Sequence, residues 1–458
     1  MEKFDALIIG SGSGMITASN AISQGLKTAV VEMGSMGGTC VNRGCIPSKM
    51  LIYPADAVAM IQEAKNVDVN ATIDSIDFRR IMDRMHHFVT EDSSHQAAAV
   101  EATPNLTWFK DVGEFISDYT MKVGKQVIQA DKIFIVSGAR PGIPPIKGIS
   151  NVEYLTSDTV LQLKEQPKSM IIIGGGYIAA EYSHFFSSLG TQVTIIQRSP
   201  RLLPEEEPEI SYLLKEEMEK RMKIFTNYEA VEVKESNDIK TVKAKNRENG
   251  DLREFSAETL LIAAGRVPNS DLLKPEKTGV KLDERGYVIV NEYLQTGKEN
   301  IWAFGDAIGK EMFKHVANYE AEVAWHNAVH DHKVKMDYSA APHAVFSHPQ
   351  VASVGLKETE AKQKGYKIMV GKAFYKDTAL GAAMGNPLGF VKVIVEQESG
   401  KILGGHIIGP FASMLIQEII NAMASGDKTF LPIIRGMHIH PAMTEVVQKA
   451  FGNLREVA

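Results

Sequence analysis

Cysteine is nearly missing from this chain of 458 residues, with only Cys40 and Cys45 present. A secreted scaffold stapled by disulfides needs more cysteines in a shorter chain, so that class is excluded. Two thiols separated by four residues leave redox chemistry or metal binding. A four-ligand zinc site needs further Cys or His close by, and none lies between Met1 and Arg80. Redox chemistry is therefore the stronger expectation, and no metal is expected. Long apolar runs are lacking too, none approaching the ~20 residues that span a bilayer. Nor does charge of one sign dominate: 50 Lys and Arg against 56 Asp and Glu leave a net −6 and no electrostatic footprint for nucleic acid. The start, MEKFDALIIG, passes from a few polar residues straight into a strand, without a cleavable export pattern. These absences point to a cytoplasmic protein with neither a membrane nor a nucleic acid as partner.

What is present is organised around glycine-rich turns in a chain long enough for two to four domains. FDALIIG reads as a buried strand, and GSGSGM opens a helix after it. A second strand, TAVVE, ends at Glu32, about 20 residues on, where an acid would bind a ribose hydroxyl. This is a dinucleotide-binding βαβ unit, in which Gly10, Gly12 and Gly14 permit the tight turn and the helix start meets a pyrophosphate. One departure stands out: the third fingerprint position is Met15, so helix–strand packing must be looser or differently arranged. A second copy follows in MIIIGGGYIAAEY, with Gly174, Gly176 and Ala179 in the fingerprint spacing. Two such folds imply two dinucleotides, one of which could be a flavin.

Between the copies, residues 55–100 look helical and charged, and a β-rich stretch ends at KIFIVSGARPGIPP. LLIAAGRVPN echoes that segment, and both suit chain crossings between domains, where proline stops the strand. The last third reads as an antiparallel sheet with helices around 411–426 and 441–452 on one face, a separate α+β domain. His326, His330 and His332 lie at a helix end and read as a solvated face.

GGTCVNRGCIPSK (Gly37 to Lys49) resembles the redox-disulfide signature of the class I pyridine nucleotide–disulfide oxidoreductases. That family includes dihydrolipoamide dehydrogenase, glutathione reductase, mycothione reductase and mercuric reductase. ENIWAFGDAIG is similar to its second flavin motif, and HIHPAMTE to its C-terminal catalytic segment. The resemblance implies an α/β fold with two Rossmann-like domains, an FAD domain split by an NAD(P) domain, and a C-terminal α+β dimerisation domain. The implied boundaries are 1–149 and 268–338 for FAD, 150–267 for NAD(P) and 339–458 for the interface of a homodimer.

Site roles follow from the same resemblance. Cys40 corresponds to the interchange thiol that attacks a substrate disulfide, and Cys45 to the thiol against the flavin. Lys49 falls near the reactive edge of the flavin. His440 matches the acid/base and Glu445 the carboxylate that orients it, expected on one helix. FAD is expected at Gly10, Gly12, Gly14, Glu32, Gly38, Thr39, Lys49, Gly138, Asp306 and Ala317. The nicotinamide cofactor is expected at Gly174, Gly176, Tyr177, Ala179, Glu181, Arg198, Arg201 and Gly265. The chemistry needs such residues because a free thiol near pKa 8.5 is only slightly ionised at pH 7. An imidazole, and a helix starting just after Cys45, raise the thiolate fraction.

After the second unit's second strand, Gln197 replaces the acid usual for NAD, and Arg198 and Arg201 follow. Two guanidiniums suit a 2′-phosphate. NADP is therefore expected over NAD, and with it a reductase of a low-molecular-weight disulfide on the mycothione or glutathione side. The alternatives are an NAD-linked dihydrolipoamide dehydrogenase of a 2-oxo acid complex and, more remotely, a mercuric reductase or a structural subunit. The tail FGNLREVA lacks the extra cysteine pair of mercuric reductase.

Overall fold

The structure is a computed structural model that describes residues 1–457. It divides into two compact units: Met1–Met50, Met82–Gly142 and Gly265–Asp337 form one; Leu51–Ile81, Ile143–Ala264 and Tyr338–Ala458 the other.

The first unit is built on β1 (Glu2–Ile9), β2 (Thr28–Val31), β3 (Leu106–Phe109), β4 (Gly113–Ser117), β5 (Thr120–Val123) and β6 (Gln126–Ile135). They lie in the order β3-β2-β1-β6-β5-β4, and Ile301–Ala303 adds a seventh strand beside β6. β3, β2, β1, β6 and Ile301–Ala303 run parallel, whereas β5 and β4 return as an antiparallel hairpin edge. β2 reads TAVV and is buried throughout, as a parallel strand covered on both faces must be. Helices α1 (Gly14–Ser23), α2 (Gly38–Asn42), α3 (Cys45–Glu63) and α4 (Phe78–Ala102) follow the turns between β1, β2 and β3. The two proline-ended echoes pair with each other: Ala139–Pro141 and Arg266–Pro268 form an antiparallel ribbon, Val267 opposite Arg140.

The second unit contains a five-stranded parallel sheet centred on Ser169–Ile173, with Gln192–Gln197 and Thr259–Ile262 as neighbours. Helix α5 (Tyr177–Ser188) follows the second glycine turn, and α6 (Pro208–Glu219) comes after the next strand. Its C-terminal part is a six-stranded antiparallel sheet in which Ile402–Ile408 lies between Val351–Gly355 and Phe390–Glu396. Helices Ala412–Ala424 and Glu445–Gly452 bury Leu415, Ile416, Ile419, Val446, Val447 and Phe451 against Val391, Val393 and Ile407. The α+β arrangement read from the sequence is present, but the expectation of helices on one face only is corrected: helix Glu358–Gln363 packs Ala361 on Ile368 and Ile394, on the face opposite Val391 and Val393, and a short helix, Leu431–Arg435, is added. No helix among the described residues is long and apolar enough to cross a membrane.

Candidate active site

The first glycine turn is held by close backbone approaches. Gly10 has φ +114°, and a Cβ there would stand 2.2 Å from the Val136 carbonyl oxygen. A Cβ on Gly38 would lie 2.7 Å from the Gly12 Cα, so α2 starts directly over the turn. Gly14 supplies the tight helix–strand contact, its Cβ position lying 2.7 Å from Ile8 Cγ2. Of the two arrangements left open at Met15, looser or different packing, the structure shows the second: the close-contact role moves one residue earlier, to Gly14. Glu32 closes the turn from β2, its Oε2 accepting the Ser11 N–H at 3.0 Å and the Ser11 hydroxyl at 2.9 Å.

These features fit the pyrophosphate and ribose of a dinucleotide. Gly12 has nothing within 4 Å of its Cβ position and lines a cavity of about 490 Å³ with Gly37, Val41, Lys314 and Asn318. Asp306, in the turn Gly305–Ile308, has its pKa raised by burial, while the Arg266 guanidinium, 3.5 Å away, opposes the rise. Gly305 and Ala317 face each other, 3.3 Å between the Gly305 Cβ position and the Ala317 Cβ. Gly138 and Gly265, both at positive φ, have open space at their Cβ positions.

Cys40 lies in α2 beside Thr39, and Cys45 is the first residue of α3. Both are thiols, Cys40 half-buried and Cys45 exposed. Cys40 is held well above the ordinary thiol pKa, first by its hydrogen bond to Cys45, then by burial and by Cys45's charge; Lys314 pulls it down. Cys45 stands at the positive end of a 19-residue helix, a position that favours negative charge on its sulfur. Lys49, one turn further on, reaches Ser48 Oγ at 3.2 Å.

The C-terminal segment carries two histidine–carboxylate pairs. His440 Nδ1 lies 2.9 Å from Glu445 Oε1, and the other Glu445 oxygen accepts the Ala442 N–H at 3.1 Å. The helix begins at Glu445, so the expectation that both residues share a helix is corrected. His440 precedes it across a cis bond to Pro441, and the carboxylate reaches back from the first turn. The second pair, His438 Nε2 with Glu418 Oε1 at 2.7 Å, carries no sequence-level expectation, because Glu418 belongs to a distant helix.

At the second glycine turn, a Cβ on Gly174 would lie 2.1 Å from the Ala263 carbonyl oxygen, whereas Gly176 is open. Tyr177 opens α5, Ala179 is fully buried, and Glu181 Oε1 accepts the Phe346 N–H at 3.1 Å. Gln197 ends its strand buried under Gly175, and its Nε2 donates to the Arg201 carbonyl at 3.3 Å. Arg198 is exposed, and Arg201 Nε is buried with no hydrogen-bond acceptor among the described residues.

A further cluster escaped the sequence reading because its members come from three distant segments. Asp56, His184 and His348 place ligand-capable atoms within 4.8 Å of one another. His184 Nε2 lies 2.8 Å from Asp56 Oδ1, and Arg221 Nη1 stands 3.1 Å from His184 Nδ1. A guanidinium only donates, so Nδ1 accepts and Nε2 keeps a proton for Asp56. That neutral tautomer suits a hydrogen-bond network between Asp56 and Arg221, since a metal on Nε2 would have to displace the proton.

Comparison with known proteins shows the family of the chain. Residues 4–330 match the family described as pyridine nucleotide-disulphide oxidoreductase, and residues 341–451 its dimerisation domain. Mycothione reductase of Mycobacterium tuberculosis (strain ATCC 25618 / H37Rv) is 36% identical over 99% of this chain and 100% of its own. Dihydrolipoyl dehydrogenase of Chlamydia muridarum is 34% identical over 97% of this chain and 95% of its own. The HOCl-induced flavoprotein disulfide reductase RclA of Escherichia coli superposes with a TM-score of 0.86 at 27% identity, covering 98% of this chain and 99% of that one.

Proposed function

Because the chain belongs to the pyridine nucleotide-disulphide oxidoreductases, a family dependent on flavin and NAD(P)H, we propose that it is an NADPH-dependent reductase of a low-molecular-weight disulfide. The observation that carries the reading is the Cys40–Cys45 thiol pair, at the start of a 19-residue helix and beside a turn shaped for a dinucleotide. Bound FAD would accept a hydride equivalent from the nicotinamide and pass electrons to this pair. Gly10, Gly12, Gly14, Glu32, Gly38, Thr39, Lys49, Gly138, Asp306 and Ala317 would hold it. Cys40 attacks the substrate disulfide, Cys45 then displaces the bound substrate thiol and restores the internal disulfide, and His440, held by Glu445, carries the proton between thiols. The family's dimerisation domain supports a homodimer, and we assign the segments 1–149, 150–267, 268–338 and 339–458 to flavin, nicotinamide, flavin and interface.

The choice of NADPH rests on Gln197, Arg198 and Arg201, whose Nε has no acceptor among the described residues, a set that suits a 2′-phosphate. Gly174, Gly176, Tyr177, Ala179, Glu181 and Gly265 complete that site. A substrate panel tests the whole reading: lipoamide, glutathione disulfide, mycothione, bis-γ-glutamylcystine and coenzyme A disulfide, each with NADH and NADPH. Turnover of a thiol-derived disulfide with NADPH is expected. Turnover of lipoamide with NADH alone would move the protein to the dihydrolipoyl dehydrogenase branch.

A further inference from the structure

The segment Gly436–Ala442 carries His440 and belongs to no helix or strand. Its main chain is bonded at its ends, where the Gly436 N–H donates to the Pro432 carbonyl at 3.0 Å and the Ala442 N–H to Glu445 Oε2 at 3.1 Å. Between them, residues 437–441 make no main-chain hydrogen bond among the described residues. Met437, Ile439 and His440 are exposed. Of residues 437–440 only His438 turns inward, its side chain 9% exposed.

His438 is closed on both ring nitrogens. Nδ1 lies 3.1 Å from the Gly436 carbonyl oxygen, which can only accept, so Nδ1 carries a proton. Nε2 lies 2.7 Å from Oε1 of Glu418, on the helix Ala412–Ala424. That helix is rooted in the core through Leu415, Ile416 and Ile419. Glu418 Oε2 is shut away with no partner among the described residues, so the bond to His438 is the one that holds this carboxyl group. A group with one polar atom already unsatisfied loses most when its remaining bond breaks. The neighbouring pair is built differently: His440 Nδ1 is held by Glu445, and Nε2 is left to exchange a proton. The His438 pair has no such free nitrogen. It can hold the chain, but it cannot serve as the acid/base.

We propose that the His438–Glu418 pair is a positioning clasp for His440. Glu445 fixes the His440 ring from downstream, and the clasp ties the chain two residues upstream to a core helix. Together they set where His440 Nε2 is presented. This inference rests on the disulfide reductase reading, in which His440 carries the proton between thiols. A reacting group misplaced by about 1 Å costs about a hundredfold in rate, so losing the clasp should slow thiol–disulfide exchange and spare the reduction of flavin by the nicotinamide.

The test uses flavin-loaded protein in a stopped-flow instrument. Reduction by NADPH is timed first. The reduced protein is then mixed anaerobically with lipoamide, glutathione disulfide, mycothione, bis-γ-glutamylcystine or coenzyme A disulfide as probe, and the return of the oxidised spectrum is timed. Glu418→Ala and His438→Ala should each slow that return about tenfold to a hundredfold and leave reduction by NADPH unchanged. His438→Ala decides the matter if Glu418→Ala does not hold flavin. Glu418→Gln should restore the parent rate, because its amide can donate to Nε2 while Nδ1 keeps its proton for Gly436. On a His440→Ala background the same alanine substitutions should slow nothing further, since a clasp that acts through His440 has nothing left to place. Parent rates in the alanine variants, equal slowing on both backgrounds, or no rescue by Glu418→Gln would overturn the clasp and leave the reductase reading standing. No return of the spectrum with any probe in the parent protein would overturn the reductase reading, and this inference with it.

Discussion

Glu445 holds His440 from one side only: a carboxylate oxygen sits 2.9 Å from Nδ1, so Nε2 is the nitrogen left to exchange a proton. The hydrogen bond to His440, then that from Ala442, keeps the Glu445 carboxyl below its usual range. A depressed carboxyl stays ionised as the pH falls through about 4.5 and is lost only below that. His440→Ala should therefore cost about a hundredfold to ten-thousandfold in kcat with a disulfide substrate. Glu445→Gln, which keeps a polar group but loses the charge, should cost less. Steady-state kinetics from pH 4 to 9 check both, and a parent profile that breaks near 4.5 would contradict the ion pair.

The two cysteines should differ in kind. Cys40→Ser should still let reducing equivalents from the nicotinamide reach the flavin, while disulfide turnover stops. Cys45→Ser should abolish the long-wavelength absorbance that a thiolate lends to a neighbouring flavin, because Cys45 is the thiol assigned against the flavin and opens the helix Cys45–Glu63. Anaerobic titration with NADPH, followed by visible absorbance, separates the two. Exchanged behaviours would reverse the assignment.

Arg198→Gln combined with Arg201→Gln should raise the KM for NADPH about tenfold to a hundredfold and leave that for NADH nearly unchanged. Only the 2′-phosphate needs their charge, at roughly 1.5–3 kcal/mol for a charge-assisted bond. Paired KM measurements with the two cofactors decide it. A parent protein that prefers NADH would remove the basis for the assignment.

Buried histidines make stability depend on pH. Burial lowers the pKa of His184 and of His406, both within the second unit. As pH falls through about 6.5, the unfolded chain takes up protons that the folded chain refuses. Their contribution is thus complete above that pH and falls on acidification, by at most about 1.4 kcal/mol per histidine per pH unit. The melting temperature should drop between pH 7 and pH 5, and His184→Gln should make the drop shallower. Thermal unfolding at half-unit pH steps measures the slope, and an identical slope in the variant would count against His184.

Local order in the sequence was enough for much of this protein. Each glycine turn is flanked by its own strand and helix, so FDALIIGSGSGM and MIIIGGGYIAAEY could be read without knowing any distant contact. The spacing of Cys40 and Cys45 and the run HIHPAMTE are local in the same way. Tertiary structure decided what depends on chain segments far apart. Gly14 rather than residue 15 meets Ile8, a matter of where α1 lies on β1. The two proline-ended echoes, more than a hundred residues apart, turned out to pair with each other. His184 acquires its tautomer from Arg221 on one ring nitrogen and Asp56 on the other. Lys314 meets Ser13 across 301 positions of sequence. Side-chain type and period are properties of neighbours along the chain, whereas the charge a buried group feels is set by whichever groups folding brings beside it, and no local pattern records them.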